Sequence, residues 1–274
     1  VLEYLTSVVR GEEKDAFGLD VSIADRTKAA ELLGKRHMLF TDKVKLDAEI
    51  EIDISDRMKQ ARVKSNEVQQ LIDALGSFTH DPLGFVYFAF PWGEKGTPLE
   101  NFDGPDEWQI KILKKIGEEL KKGKSLSKAI KIAIASGHGI GKSTLVSFLI
   151  LFAMATHENT RGVVTANTEK QLSSKTWAEL SKWYNLFIGK ELFVYTATAL
   201  FSADKQYEKT WRIDAIPWSE SNPDAFAGLH NQGNRILIIF DEASSIADII
   251  WEVAEGALTD KETEIIWCAF GNPT

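Results

Sequence analysis

The spacing of apolar residues changes along the first quarter of the chain, and each spacing predicts a different element. Apolar residues gather in two short helical patterns at 2–9 and 23–33. From 42 to 54 they alternate with polar residues, which is the period of a half-buried strand. Such a strand has to pair with the edge of the main sheet or with another chain, and the pattern leaves both alternatives open. From 55 to 75 the spacing returns to that of one helical face.

The remainder of the chain alternates short apolar runs with longer helical patterns. Continuous apolar runs predict strands covered on both faces, and alternation with helices is typical of a parallel sheet. We therefore expect an α/β fold with a mainly parallel sheet flanked by helices, preceded by a small helix-and-strand appendage. The predicted strands lie at 132–135, 161–167, 193–201, 210–216, 236–240 and 264–270, and the predicted helices at 106–120, 145–155 and 169–187.

A glycine-containing loop joins the first of these strands to a long apolar helix in the sequence KIAIASGHGIGKSTLVSFLIL, residues 131–151. Its glycines let backbone N–H groups form an anion-binding concavity, and the following helix points its N-terminus at the same place. Lys142 would reach the β- and γ-phosphates, and Ser143 would bind Mg²⁺. The pattern predicts a P-loop formed by Ser136, Gly137, His138, Gly139, Ile140, Gly141, Lys142, Ser143 and Thr144. Ser136 replaces the usual first glycine, and a simple strand-to-helix connection is the alternative.

The second chemical signature is RILIIFDEAS, residues 235–244. Its apolar run predicts a buried strand, and Asp241 and Glu242 follow at the carboxyl end of that strand. Because the carboxyl ends of parallel strands meet at one edge of a sheet, we expect this pair beside the P-loop. Asp241 would hold Mg²⁺, and Glu242 would orient and deprotonate the attacking water. The second carboxylate favours hydrolysis over group transfer.

Polar residues at two further positions, and one basic stretch, are candidates for roles in binding. Gln109 lies in a first helical turn and could pair with the edge of adenine, with a surface glutamine as the alternative. Asn272 follows the last strand and could contact the γ-phosphate, with a plain turn as the alternative. Eight lysines lie between 111 and 131, a run that more often forms a solvated face than a phosphate-contacting strip.

Composition limits the partners of this chain of 274 residues. The formal charge of −8 excludes a surface that binds nucleic acid everywhere, although a local basic strip remains compatible with it. The single cysteine, Cys268, cannot form an internal disulfide, which fits a reducing compartment. No segment has the length of a membrane span, and the first residues lack the pattern of a signal peptide. We therefore expect a soluble, intracellular protein without a membrane partner.

Taken in order, the P-loop, FDEAS at 240–244 and GNPT at 271–274 resemble the ATPase domain of phage terminase large subunits. The segments PDEWQ at 105–109 and AGLH at 227–230 add to this resemblance, which covers about residues 80–274. A second resemblance lies in about the first 55 residues. There, VLEYLTSVVRGE and DRTKAAELLGKRHMLFTDKVKL are similar to the C-terminal part of terminase small subunits. The join of the two subunits could be natural or engineered.

The resemblance implies an ATP-driven motor that pumps double-stranded DNA into a procapsid in the cytoplasm of an infected bacterial host. It implies ATP and Mg²⁺ as ligands, with Gln109 on adenine and Asn272 coupling hydrolysis to movement. The portal protein and the small terminase subunit would be partners, and the motor would be a ring, although the domain alone could be a monomer. Three parts are expected: an oligomerisation segment at 1–60, an adenine-side helical region at 61–125 and the ATPase core at 126–274.

This chain departs from the family pattern in two ways. Where some relatives have an arginine in the P-loop it has His138, so an arginine must come from elsewhere in the chain or from a neighbouring subunit. Arg212 is the first candidate and Arg235 the second. The nuclease domain of the family has no counterpart here, so DNA cleavage is not assigned. A helicase-type DNA translocase and a nucleotide-gated assembly scaffold are the alternative functions.

Overall fold

The computed structural model describes residues 7, 8, 10, 12, 22, 26, 27, 30, 54–123, 129–137, 139–218, 229–246, 248–256 and 262–272. The chain divides into two compact units, Val1–Ile72 and Asp73–Thr274. The strand predicted at 42–54 lies outside the described residues except for Ile54, as do most residues of the helices predicted at 2–9 and 23–33. Helix α1, Ile54–Gly76, confirms the helix predicted at 55–75. The division predicted at residues 60 and 125 stays a prediction.

The larger unit is built on a seven-stranded sheet in the described residues, with the strand order β1-β7-β6-β2-β5-β4-β3. The strands from β1 to β5 in this order are parallel, and β4 and β3 are antiparallel additions at the far edge. The predicted α/β fold with a mainly parallel sheet is therefore confirmed. The strands are β1 (Ile130–Ala135), β2 (Arg161–Thr165), β3 (Phe193–Tyr195), β4 (Ala199–Ser202), β5 (Arg212–Ala215), β6 (Arg235–Phe240) and β7 (Glu264–Gly271).

The prediction of a single strand at 193–201 was wrong, because the structure has two strands, β3 and β4, joined by a tight turn. Thr196 closes this turn: its hydroxyl donates to the Ala199 carbonyl and accepts from the Ala199 N–H, both at 3.0 Å. A threonine that hydrogen-bonds nearby backbone competes with the regular ladder of a strand. The apolar run therefore folds back on itself.

Helices cover both faces of the sheet. They are α2 (Pro82–Ala89), α3 (Glu107–Lys121), α4 (Lys142–Thr156), α5 (Glu169–Gln171), α6 (Ala178–Leu186) and α7 (Asp248–Gly256). A π-helical turn, Leu172–Trp177, connects α5 to α6, so the helix predicted at 169–187 contains a widened turn. Among the described residues, no helix combines the length and the apolar character needed to cross a bilayer.

Helix α4 occupies the centre of the core. Every residue from Leu145 to Met154 is buried, and the Ser147 hydroxyl is satisfied by the carbonyl of Ser143 at 2.9 Å. An aromatic cluster lies between α4 and α6, where the ring centroids of Phe148 and Trp183 are 4.6 Å apart. All six residues of β6 are buried, which fits its central place in the sheet. The P-loop is therefore followed directly by a helix that is closely packed in the core.

A buried ion-pair network lies at the amino-terminal edge of the sheet. Arg235, the first residue of β6, is fully buried. Its guanidinium donates to Glu264 Oε2 from two nitrogens, at 2.7 and 3.1 Å, to the Thr156 hydroxyl at 2.8 Å and to the Thr79 carbonyl at 2.7 Å. His80 lies 2.7 Å from the other oxygen of Glu264. Burial alone would raise the pKa of Glu264, but Arg235 and His80 outweigh it and lower that pKa. A buried arginine is tolerated here because it is fully paired.

Candidate functional site

Three chain segments emerge side by side at the carboxyl edge of the sheet. Strands β1, β7 and β6 are neighbours, and Ala135 pairs in register with Gly271 and Phe240 with Ala269. Because these strands are parallel, the P-loop after β1, Asn272 after β7 and the Asp241-Glu242 pair after β6 share one edge. The structure thus brings together the P-loop, the Asp241-Glu242 pair and Asn272, as the sequence predicts.

Lys142 is at the centre of this edge. Its ammonium donates to Asn272 Oδ1 at 2.6 Å and to the Ser136 carbonyl at 2.7 Å. The carbonyls of Gly137 and Gly271 lie 3.3 Å away. The lysine therefore joins the loop after β1 to the end of β7, and its positive charge also acts on Asp241.

The loop backbone needs glycine at two described positions. Gly139 and Gly141 have φ angles of 79° and 84°, in the left-handed region that residues with a Cβ rarely adopt. A Cβ at Gly141 would also lie 2.9 Å from the side-chain nitrogen of Gln109. His138 lies outside the described residues. Helix α4 begins directly after Gly141, so the loop passes straight into a helix N-terminus.

The first turn of α3 supports the P-loop from outside. Gln109 is 2% exposed; its Oε1 accepts from the Asp106 N–H at 2.9 Å, and its Nε2 donates to the Gly141 carbonyl at 3.0 Å. Trp108 donates from Nε1 to the Ile140 carbonyl at 3.0 Å. The Gln109 amide is therefore engaged at both ends, and the predicted contact with adenine would require these two hydrogen bonds to break. No pattern in the sequence pointed to Trp108, because its partner is distant along the chain.

The two carboxylates after β6 differ in their surroundings. Asp241 is 8% exposed; its Oδ2 accepts a short hydrogen bond from the Thr176 hydroxyl, and its Oδ1 accepts from the Glu242 N–H at 3.0 Å. Burial raises the pKa of Asp241, and the charge of Lys142 acts in the opposite sense. Glu242 has a φ of 56°, and its Oε1 lies 3.0 Å from the Lys175 ammonium. A non-glycine residue in this conformation stores strain that is often found at functional sites.

Ser143 and Thr144 lie in the first turn of α4, beside the loop. The Thr144 hydroxyl donates to Glu179 Oε1 at 3.0 Å, and the same oxygen accepts from Trp183 Nε1 at 3.0 Å. Burial alone would raise the pKa of Glu179, but hydrogen bonds from Lys182, Trp183 and Thr144 lower it. The sequence did not point to Glu179, because a glutamate on an amphipathic helix resembles any solvated residue.

The two candidate arginines lie at the opposite edge of the sheet. Arg212 is the first residue of β5 and pairs in register with Arg161, the first residue of β2. Its Nε lies 3.0 and 3.1 Å from the carboxylate oxygens of Asp214. Arg235 begins β6 at the same edge and is fully buried. Neither arginine therefore lies at the P-loop of its own chain, and burial removes Arg235 as a donor to another molecule. A role for Arg212 toward a neighbouring subunit stays a prediction.

Some lysines of the lysine-rich stretch form ion pairs with glutamates. Lys122 lies 2.6 Å from Glu119, and Lys131 lies 3.1 Å from Glu255. Both pairs are solvent-exposed, so each contributes little to stability. Residues 124–128, which include two of the eight lysines, lie outside the described residues. A solvated face describes the paired lysines better than a uniform phosphate-binding strip.

The donors at the carboxyl edge fit a magnesium ion. Ser143 and Asp241 offer oxygen ligands, which this hard cation prefers, and it usually keeps several waters. The hydroxyls of Ser136 and Thr165 are buried at this edge and have no hydrogen-bond partner among the described residues. Buried polar groups without a partner indicate a place for a ligand or ordered water.

The comparisons with known proteins found two groups of curated relatives, and no family model matches the chain. The chain is 27% identical over 139 residues to a probable terminase large subunit of Enterobacteria phage P7, a match that covers 49% of the chain and 27% of the relative. It is 40% identical over 68 residues to the terminase small subunit of Bacillus phage SF6, covering 20% of the chain and 47% of the relative. The chain thus spans less than half the length of these relatives.

Two solved structures are also similar. One is a mutant of the large terminase ATPase domain of Thermus phage P74-26, with 16% identity, a TM-score of 0.40 and coverage of 62% of this chain and 66% of that chain. The other is the large terminase of a thermophilic bacteriophage in complex with ADP, with 18% identity, a TM-score of 0.40 and coverage of 60% of this chain and 38% of that chain. The resemblance read from the sequence is confirmed: the chain is similar to a terminase large subunit over about half its length and to terminase small subunits in its N-terminal region.

Proposed function

We propose that this chain is the ATPase domain of a viral DNA-packaging motor, which hydrolyses ATP to translocate double-stranded DNA into a procapsid. The observation that carries the proposal is the meeting of Lys142, Asn272 and the Asp241-Glu242 pair at one edge of the sheet. The similarity to both terminase subunits supports the biological setting. We place this motor in the cytoplasm of an infected bacterial host.

Binding of the triphosphate would use the P-loop backbone and Lys142. The N–H groups of the loop and of the first turn of α4 would cradle the phosphates. The Lys142 ammonium would give up its hydrogen bonds to protein carbonyls and donate to phosphate oxygens instead. Ser143 and Asp241 would hold Mg²⁺, which when bound neutralises charge on the phosphate oxygens.

Hydrolysis would use Glu242 as the general base that takes a proton from the attacking water. Its backbone has a φ of 56° directly after β6, and this conformation would hold the carboxylate at the carboxyl edge of the sheet. Asn272 would report the state of the nucleotide, because the three N–H donors of Lys142 already face four protein acceptors and phosphate oxygens would compete with Asn272 for them. Loss of the γ-phosphate would let the lysine return to Asn272, and turnover would thereby be coupled to movement of Asn272 at the end of β7.

The assembled motor would be a ring that contacts double-stranded DNA, the portal protein and a small terminase subunit. Within the ring, Arg212 of a neighbouring subunit would stabilise charge in the transition state, a contribution of about 10³–10⁵-fold in rate in other ATPases and GTPases. The domain in isolation would then be a slow ATPase.

The first experiment measures ATP hydrolysis with and without double-stranded DNA for the wild-type chain and for Lys142→Ala. We expect slow Mg²⁺-dependent hydrolysis that DNA stimulates, and no hydrolysis by the variant. Equal activity of the two proteins would show that the measured turnover does not come from this site.

A further inference from the structure

One turn of helix contacts both carboxylates of the site. Lys175 and Thr176 are neighbours in the π-helical turn, and they bind Glu242 and Asp241, which are neighbours after β6. One helical turn later, Glu179 of α6 accepts a hydrogen bond from Thr144 at the start of α4. A single continuous helix therefore contacts the P-loop helix and both acidic residues.

The widened turn accounts for this pairing. Hydrogen bonds in a π-turn run from residue i to i+5, so the turn holds one residue more than an α-helical turn. It lies between ordinary helical residues: Thr168 caps the start of α5, and α6 continues the helix to Leu186. The extra residue sets the rotation of Lys175 and Thr176 relative to the start of the helix. Isolated π-turns of this kind are found frequently at functional sites.

The two contacts differ in character. Thr176 is fully buried, and its hydroxyl donates to the carboxylate of Asp241, which is itself buried. This contact fixes Oδ2, the Glu242 N–H occupies one lone pair of Oδ1, and the other lone pairs of the carboxylate remain for a ligand. The Lys175 side chain is 57% exposed, whereas that of Glu242 is 22% exposed. Lys175 therefore reaches inward from solvent and holds Glu242 by one hydrogen-bonded ion pair.

We propose that Lys175 and Thr176 are positioning residues of the ATPase site, with Thr176 orienting Asp241 toward the metal ion and Lys175 orienting Glu242 toward the attacking water. The proposal rests on the proposed function, since it assigns roles within the same reaction. The proposal assigns neither residue a contact with the reacting atoms. Each acts through the carboxylate that it holds, as outer-shell partners of metal ligands do.

The test of Lys175 separates orientation from binding. We expect Lys175→Met to lower kcat by about 10-fold with the KM for ATP unchanged, because outer-shell partners are worth about 10–100-fold. Lys175→Arg, which keeps the charge and the hydrogen bond, should retain kcat within about 3-fold. Lys170→Met is the matched control, since it removes an exposed lysine from the start of the same helix. A kcat for Lys175→Met equal to or above that of wild type would overturn the role of Lys175.

The test of Thr176 uses metal binding as well as activity. Mn²⁺ binding in the presence of ADP is followed by the loss of the free-ion EPR signal. We expect Thr176→Val to weaken this binding by about 10-fold and Thr176→Ser to restore it. Thr160→Val controls for the loss of a buried threonine hydroxyl, because the Thr160 hydroxyl donates to the Ala153 and His157 carbonyls and, among the described residues, makes no hydrogen bond to either carboxylate. Unchanged Mn²⁺ binding by Thr176→Val, with the fold intact by circular dichroism, would overturn the role of Thr176.

The two levels of proposal fail in different ways. If the wild-type chain binds neither ATP nor Mn²⁺ with ADP, the proposed function fails and with it this inference. If the wild type hydrolyses ATP and depends on Lys142, while Lys175→Met and Thr176→Val behave as wild type, only the positioning roles fail.

Discussion

The ammonium of Lys142 lies 2.6 Å from Oδ1 of Asn272, so the P-loop lysine and the residue after the last strand are directly hydrogen-bonded. The same ammonium also contacts the Gly271 carbonyl at the end of β7. A triphosphate in the loop would compete with these acceptors for the lysine. Binding of a nucleotide as proposed would therefore change the contacts of Asn272 through this one side chain.

Asn272→Ala tests this link. The substitution removes one acceptor that competes with phosphate for Lys142, and hydrogen bonds to charged groups are worth about 1.5–3 kcal/mol. The carbonyls that also accept from Lys142 would replace part of the lost hydrogen bond. We therefore expect ATP to bind up to about 10-fold more tightly, while DNA-stimulated turnover falls. Fluorescent-nucleotide titration and an ATPase assay measure the two quantities. Asn185→Ala, on the exposed side of α6, is the control, and weaker ATP binding by Asn272→Ala would contradict the competition.

Gln109→Ala separates a structural role from recognition of adenine. The side chain caps α3 and holds the Gly141 carbonyl, so we expect a loss of about 1–2 kcal/mol in the free energy of unfolding. Because the P-loop backbone would lose its support, ATP and GTP should both bind more weakly, by the same factor. Titration with each nucleotide gives the comparison. A loss confined to ATP would instead establish the adenine contact predicted from the sequence.

Glu242→Gln removes the proposed general base while keeping the size of the side chain. General-base catalysis contributes about 10²–10⁴-fold, so turnover should fall by that factor while ATP binding is kept. Single-turnover hydrolysis and equilibrium binding of ATP measure the two effects. Glu252→Gln, an exposed glutamate on α7, serves as the control. Hydrolysis at the wild-type rate in Glu242→Gln would assign the base to another residue.

The elements that the sequence predicted well are those in which local pattern and burial agree. The runs ending at Ala135 and Phe240 are apolar, and both became parallel strands; β6 is buried throughout, whereas β1, at the side of the sheet, alternates between exposed and more buried residues. Since parallel strands place their carboxyl ends together, the meeting of the P-loop with Asp241 and Glu242 followed from topology. Asn272 could be placed at the same edge for the same reason.

The supporting residues could not be predicted, because their partners are distant along the chain. Thr176 and Lys175 look like ordinary residues of an amphipathic helix, and the π-turn that aligns them has no sequence signature that we recognise. The strand predicted at 210–216 put Arg212 toward the amino end of that strand, but the sequence did not show in which direction the strand runs in the sheet. The strand direction, known only from the structure, places it at the edge opposite to the P-loop.

The Arg235–Glu264 pair predicts how stability depends on pH. The folded protein holds the pKa of Glu264 below its ordinary value of 4.5, with the charges of Arg235 and His80 outweighing burial. As pH falls, the unfolded chain therefore takes up a proton first. The contribution of Glu264 to stability is fully present above about pH 4.5 and is lost as pH falls through the folded pKa.

Glu264→Gln measures this contribution. At neutral pH the substitution leaves Arg235 buried without its counter-charge, so we expect a loss of about 3–5 kcal/mol in the free energy of unfolding. Urea unfolding between pH 3 and 7 should give a shallower pH dependence than in wild type, because the titrating group has gone. Glu255→Gln, which breaks an exposed pair with Lys131, should change stability by less than about 1 kcal/mol. Parallel pH profiles for wild type and Glu264→Gln would contradict the assignment.

Arg212 lies at the amino end of β5, at the opposite end of the parallel strands from the P-loop. Its proposed role toward a neighbouring subunit can therefore be tested by mixing subunits. If Arg212 acts on the nucleotide of a neighbour, Arg212→Ala and Lys142→Ala impair different components of the same shared site. Each variant alone should be nearly inactive under conditions in which the chain assembles, whereas a mixture contains some interfaces with both residues intact. We therefore expect the mixture to regain a measurable fraction of wild-type ATPase activity, with Asp214→Ala, which keeps the arginine, close to wild type. Full activity of Arg212→Ala alone would show that the arginine does not take part in hydrolysis, and a mixture no more active than its components would exclude action between subunits.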